Sequence, residues 1–361
     1  METVAKSSTR SIKVMAVLVT IATVLLLKVH YYSHSRNVAE GAARRTVEIT
    51  YNFTVSDISQ QAQHVRIWVP VPPTNDRQQL HDMNVVGDWS YRIIDEPKFD
   101  NRFLVFDLNK TNSTDARQAA FSVKFCVSRY AIRPLHQHAS VRPIAQDKLA
   151  HYLAPNRLIP LDGKIALEAQ QIAGSLQNPL DQARVLYDHI IATLSYDKSG
   201  AGWGRGDAIY ACDVRKGNCT DFHSLFIGQA RALGIPARFI MGLPLPEDKA
   251  EGFIPSYHCW GEFHLPEKGW CPIDASDASR FPEKKEQFFG GLDEHRVTFT
   301  VGRDIKLPGS AAEPLNYVIY PHVEIDGRSH DGVQTSFFFK DYPATAGKQL
   351  ESSSMNTLLT Q

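Results

Sequence analysis

Three short contexts in this chain carry residue types that could cooperate in one reaction. Cys219 lies in Gly217-Asn218-Cys219-Thr220-Asp221-Phe222-His223, His258 in Tyr257-His258-Cys259-Trp260, and Asp274 in Trp270-Cys271-Pro272-Ile273-Asp274. A cysteine attacks as its thiolate, so a base must take its proton and a third group must orient that base. Cysteine, imidazole and carboxylate fill those roles in turn. The expected chemistry is attack on a carboxamide or peptide carbonyl through an acyl thioester, with His258 as base and then as proton donor to the leaving amine. Asp274 holds the imidazole in the right tautomer. Asp277 is the lesser candidate for that place.

The elements that must position these groups follow from the surrounding residues. Phe222, Leu225, Phe226, Gln229, Ala230 and Leu233 recur at three- and four-residue spacing, and Gly234 and Pro236 stop the pattern. Cys219 therefore starts a core-facing helix, where the helix dipole and free N–H groups lower a thiol pKa and can hold an oxyanion. Ser199 to Gly206 is rich in glycine and reads as a loop shaping the approach. His223, one turn after Cys219, suggests a weak Cys-x3-His metal pair completed by His264 or Cys271, with a core or supporting position as its plainer use. His264 reads as exposed near a turn.

Tyr257–Leu265 and Trp270–Ile273 read as an antiparallel hairpin, and its register decides whether the parts can meet. A four-residue loop over 266–269 pairs 261 with 274 and leaves His258 on the far face. An odd loop that pairs 264 with 270 puts 260 opposite 274 and brings His258 to the same face as Asp274. The triad requires the odd register or a bulge. Trp260, Trp270 and Pro272 would then share that face and shield the ion pair.

The segment Gly-Asn-Cys-Thr-Asp-Phe-His, the segment Gly234-Ile235-Pro236-Ala237-Arg238, and the strand His-Cys-Trp-Gly-Glu-Phe followed by Ile-Asp-Ala resemble the transglutaminase-like superfamily of papain-related folds. The resemblance covers roughly residues 145–305 and is closest to bacterial envelope proteins with such a core behind a β domain. It implies an α+β fold with Cys219, His258 and Asp274 as the catalytic set and no metal or organic cofactor. By analogy with the indole donor of animal transglutaminases, Trp203 is an oxyanion candidate at a different spacing; Trp260 is a second cleft residue.

Residues 44–130 alternate polar and apolar in short runs, as in Thr46–Tyr51, His64–Val69, Phe103–Phe106 and Ala120–Phe125, and suggest a small β-sandwich. Asn178-Pro179-Leu180-Asp181 is a helix start with Asn as cap and Pro at the first position. The chain divides into an N-terminal segment over 1–43, a sandwich over 44–130, a catalytic unit with C-terminal strands over 131–345, and a flexible tail over 346–361.

The N-terminal segment places Lys6, Arg10 and Lys13 before an apolar run from Val14 to Leu27, closed by Lys28. That layout marks export, either as an uncleaved single-pass anchor or as a removed signal. The globular part is then expected in the cell envelope, periplasmic or otherwise outside the cytoplasm. Lys+Arg and Asp+Glu both number 39, so there is no charge argument for nucleic acid. With Cys219 used as nucleophile, Cys126, Cys212, Cys259 and Cys271 remain to pair or to fill the core. Two readings stand: a thiol enzyme acting on a peptide or protein substrate with an amide or glutamine-like group, by hydrolysis or by transfer to an amine, and a non-enzymatic binding scaffold of the same fold.

Overall fold

The structure is a computed structural model that describes residues 42–87, 89–109, 118–137, 144 and 146–342. The expected export segment, all but its last two residues, and the expected tail lie outside these. Among the described residues no helix is long and apolar enough to cross a membrane.

The described residues open with six strands, β1 Arg44–Val55, β2 His64–Val71, β3 Gln78–Val86, β4 Tyr91–Glu96, β5 Asn101–Asn109 and β6 Ala119–Tyr130. Short helices and turns follow: α1 Gln146–Leu149, α2 Gly163–Ala173, α3 Pro179–Thr193, β7 Ser195–Tyr196, α4 Ala208–Val214, β8 Lys216–Gly217 and α5 Cys219–Ala232. Then come β9 Ala237–Pro244, β10 Glu251–Ile254, β11 His258–Leu265, β12 Gly269–Ile273, α6 Ala275–Arg280 and β13 Arg296–Val301. The last strands are β14 His322–Ile325, β15 Arg328–Ser329 and β16 Val333–Asp341. This is an α+β fold.

Two five-stranded sheets, ordered β10-β16-β1-β6-β3 and β15-β14-β2-β5-β4, form the sandwich. Alternation explains it: Ile49, Tyr51, Phe53 and Val55 of β1 are buried while the residues between them are not. The sandwich takes strands from both ends of the chain, because β16 runs antiparallel to β1 and β14 to β2. The sequence division had grouped those C-terminal strands with residues 131–345. Strands β3 and β4 carried no clear period in the sequence; β3 alternates half-buried with exposed positions and β4 is mostly exposed.

A four-stranded sheet, β12-β11-β9-β13, lies against α5. Helix α3 begins as its sequence indicates: the Asn178 side chain accepts from Leu180 N–H, with Pro179 in the first turn. Helix α5 differs from the expectation of a single apolar face, being buried on all sides from Cys219 to Arg231. Its polar residues therefore have partners. Ser224 Oγ accepts from Arg303 Nη1 at 2.7 Å, Gln229 Nε2 donates to Glu168 at 2.8 Å, and Arg231 Nε donates to Ala237 O at 2.9 Å.

Sandwich and core meet through paired polar contacts and a shared apolar interior. Gln78 donates to Thr298 O at 3.0 Å and accepts from Thr298 N–H at 2.8 Å. Gln78 thereby acts as a short continuation of the sheet edge at β13, where a bulge falls between Thr298 and Thr300.

Candidate active site

Cys219 is the first residue of α5. Asn218 caps the helix, accepting from Thr220 N–H at 3.0 Å. Asp221 completes a capping box by accepting from Asn218 N–H at 2.9 Å. The same carboxylate accepts from Gly204 N–H at 2.7 Å and Gly206 N–H at 3.0 Å. One fully buried side chain thus ties the glycine-rich loop to the start of the helix. Gly217 makes room for it: a Cβ there would lie 2.3 Å from Asp221 Oδ2. The Asn-x-x-Asp spacing is a capping-box pattern that the sequence reading did not use; the bonds to the distant loop had no sequence signal.

The hairpin β11–β12 adopts the odd register. His264 pairs with Trp270 and Leu265 with Gly269, around a turn over 266–268. Gly269 has φ +70°, the left-handed conformation such a short turn requires. His258 and Asp274 consequently share a face, and His258 Nε2 donates to Asp274 Oδ2 at 2.6 Å. Both are buried. The other ring nitrogen does not take part in this bond, and hydrogen bonding with Cys219 is among the influences that raise the ring's pKa. Asp274 Oδ1 accepts from Ser276 Oγ and Asp277 N–H, each at 2.9 Å, so the carboxylate is oriented from both sides.

Cys219 has a second partner, the thiol of Cys259 next to His258. The hydrogen bond from Cys259 is the largest influence holding the Cys219 thiol well below its ordinary range; burial opposes it, and the bond and charge of His258 assist. Cys259 is pushed up by burial and by its neighbour, so it stays protonated and donates. His223 supports this arrangement. Its Nε2 lies 3.1 Å from Ala275 N, and its Nδ1 faces Cys259 Sγ at 3.8 Å. Both nitrogens of His223 are occupied, and the metal pair with Cys219 does not form.

Burial works against a charged His258, but Asp274 and then Asp277 outweigh it and raise the ring to about 10. Burial would raise Asp274; the charges of His258 and Arg296 hold it well below the usual carboxylate range. These directions favour charge on Cys219, His258 and Asp274 together. Among the described residues, His258, Asp274 and Asp277 have ligand atoms within 4.8 Å of one another. The Arg296 guanidinium already lies on both carboxylates, at 2.8 and 3.0 Å, so a metal cation there would meet a fixed positive charge.

Trp203 is half-buried in the glycine-rich loop, whose anchoring bonds run through the backbone of Gly204 and Gly206 and not through the indole. Trp260 is fully buried, its ring 6.4 Å from that of His258. His264 departs from expectation. It is buried, in edge-to-face contact with Trp270 at 5.2 Å, because β11 is covered on both faces along its whole length. Sequence reasoning also missed the rim of the site, where Asn218 Nδ2 donates to Tyr257 Oη at 3.3 Å and Tyr317 Oη to Gly204 O at 3.1 Å. All five cysteines are free and buried.

A family model of the transglutaminase-like superfamily matches residues 168–275, the stretch that contains Cys219, His258 and Asp274. Over 332 residues the chain is 27% identical to an uncharacterized protein of Haemophilus influenzae, covering 81% of this chain and 89% of that one. It is 23% identical over 272 residues to a protein-glutamine gamma-glutamyltransferase of Pseudomonas aeruginosa, covering 70% of this chain and 38% of that one. The chain thus spans little more than a third of that relative. A solved structure from Cytophaga hutchinsonii, provisionally named a cysteine protease, superposes with a TM-score of 0.58 at 16% identity, over 84% of this chain and 92% of that one. That likeness is one of fold.

Proposed function

We propose that this chain, which belongs to the transglutaminase-like superfamily through residues 168–275, is a thiol enzyme that transfers an acyl group from an amide to water or an amine. The observation that carries the reading is the 2.6 Å bond between His258 Nε2 and Asp274 Oδ2, on a side chain whose other influences include Cys219. In this reading Cys219 Sγ attacks the amide carbon. Backbone N–H groups at the start of α5 receive the oxyanion, with the Trp203 indole as an added candidate donor. The C–N bond breaks as His258 gives its proton to the leaving nitrogen, and a thioester remains on Cys219. Water or an amine then adds, His258 takes its proton, and the C–S bond breaks.

The transferase named in Pseudomonas aeruginosa favours a glutamine side chain as the amide, and so a peptide or protein substrate. Export goes with this reading through Lys6, Arg10, Lys13 and the apolar run after them, which would put residues from about 30 onward outside the cytoplasm, in the envelope. Glutamine-containing peptides incubated with and without a primary amine, and read by mass spectrometry, test the activity. Amine-linked product indicates transfer, and glutamate in place of glutamine, or a cleaved peptide, indicates hydrolysis. Neither product, from a protein whose Cys219 is intact and reduced, would favour the binding scaffold.

A further inference from the structure

Arg296 opens β13 and is 4% exposed. Its Nη1 lies 2.8 Å from Asp274 Oδ2, the oxygen that already accepts from His258. Its Nη2 lies 3.0 Å from Asp277 Oδ2, and that oxygen is 3.6 Å from His258 Nε2. Its Nε is 3.5 Å from Asp293 Oδ1, and its guanidinium rests over the Phe288 ring at 4.9 Å. A buried guanidinium therefore joins both carboxylates that face the imidazole. Neither the motifs nor the periodicity of the sequence pointed to it.

The geometry points to Arg296 as a positioning residue for acyl transfer: it fixes the Asp274 carboxylate beneath His258 and offsets Asp277, so that the ring can release its proton in acylation and stay a free base for deacylation. This inference rests on the reading of Cys219 and His258 as nucleophile and base.

The physical need arises after the thioester forms. In the resting site the imidazolium faces the Cys219 thiolate from α5, Asp274 and Asp277 from α6, and the neutral Cys259 beside it on β11. His223 from α5 reaches Asp274 Oδ1 at 3.5 Å, and Arg280 reaches Asp277 Oδ1 at 3.1 Å. In acylation His258 gives its proton to the leaving nitrogen and the thioester removes the thiolate charge, so the carboxylates alone then set how readily the ring is reprotonated from solvent. Two uncompensated carboxylates against one buried ring would keep it protonated, and a protonated ring cannot activate water or an amine. A guanidinium bridging both of them takes up part of that field. Its two N–H arms also set the plane of Asp274, a task a lysine would perform less well.

The test compares wild type with Arg296→Gln, Arg296→Lys, Asp277→Asn and the double variant Arg296→Gln/Asp277→Asn. The titration of His258 is followed by NMR of the imidazole Cε1–H with Cys219 blocked by iodoacetamide, which needs no substrate. Arg296→Gln should raise the midpoint by about one pH unit, Asp277→Asn should lower it, and the double variant should return toward wild type. Arg296→Lys should lie between wild type and Arg296→Gln. In turnover, Arg296→Gln should keep the acylation burst while steady-state kcat falls about tenfold at neutral pH, the fraction of free base lost for one unit.

Should Arg296→Gln not fold, Asp277→Asn and Arg296→Lys still decide through their opposite shifts. A His258 midpoint unmoved in the folded variants overturns the inference, even if activity drops. Moved midpoints in a protein that acylates no substrate would leave the electrostatic role standing and overturn the enzymatic reading instead.

Discussion

His264 stands directly opposite Trp270 across the β11–β12 hairpin, and this pairing puts His258 and Asp274 on one face of the sheet. A one-residue slip would send His258 to the opposite face and separate it from its carboxylate. The short turn holds the register through Gly269, whose φ of +70° a β-branched residue adopts with strain. Gly269→Val should lower unfolding free energy by about 1–2 kcal/mol. It should also cost activity out of proportion to that loss. Urea unfolding and turnover on the same samples check this; full activity with unchanged stability would show that the turn does not set the register.

Cys259 is placed to tune Cys219. Cys259→Ala removes the donor that most lowers the Cys219 thiol, so the pH at which Cys219 becomes reactive should rise and alkylation at pH 6 should slow. The direction of the change is the test. An unchanged profile would mean that His258 alone sustains the thiolate.

Asp221 accepts from three backbone N–H groups on two segments while fully buried. Each donor left without a partner costs about 1–3 kcal/mol, so Asp221→Ala should lose at least ~3 kcal/mol in urea unfolding. A loss below ~1 kcal/mol would show that the glycine-rich loop is held by other means, the Arg303 bonds to Gly206 O and Ser224 being the first to consider.

The parts of the site that a local pattern encodes were legible in the sequence. The α5 start at Asn218-Cys219, its stop at Gly234, and the alternation of β1 all follow from neighbours a few residues away. The hairpin narrowed to two registers from spacing alone, and the structure takes the one the triad requires. Long-range charge pairing was not legible. Arg296, Arg303 and Asp221 act on partners 15 or more residues distant in most of their contacts, and no periodicity announces such a partner. His264 was misjudged because burial at a turn depends on what packs over it, here Trp270. The return of β14 and β16 to the N-terminal sandwich is likewise a pairing between chain ends.

The charge on His258 also links the site to folding. Its ring is raised to about 10 in the fold against ~6.5 in an unfolded chain. The stabilisation is therefore complete below pH ~6.5 and is lost as pH rises through about 10. With Cys219→Ser in both proteins, so that the thiol's own titration does not enter, the gap in unfolding free energy between the His258 form and His258→Gln should narrow from pH ~6.5 toward pH 10. A gap that stays constant over this range would contradict an imidazolium in the folded site.

The most direct measurement is the pH dependence of alkylation at Cys219 by iodoacetamide, resolved by peptide mass spectrometry. The other four cysteines serve as controls in the same chain. Burial pushes Cys126 and Cys212 to about 11, Cys271 to about 12 and Cys259 above its ordinary range, so these should stay unmodified at neutral pH. With Cys219 paired to His258, its labelling should reach a plateau well below the pKa of ~8.5 of a free cysteine, and His258→Gln should remove that plateau. Labelling of Cys219 that begins only as the pH passes ~8.5, unaffected by loss of His258, would contradict the thiolate–imidazolium pair on which this account depends.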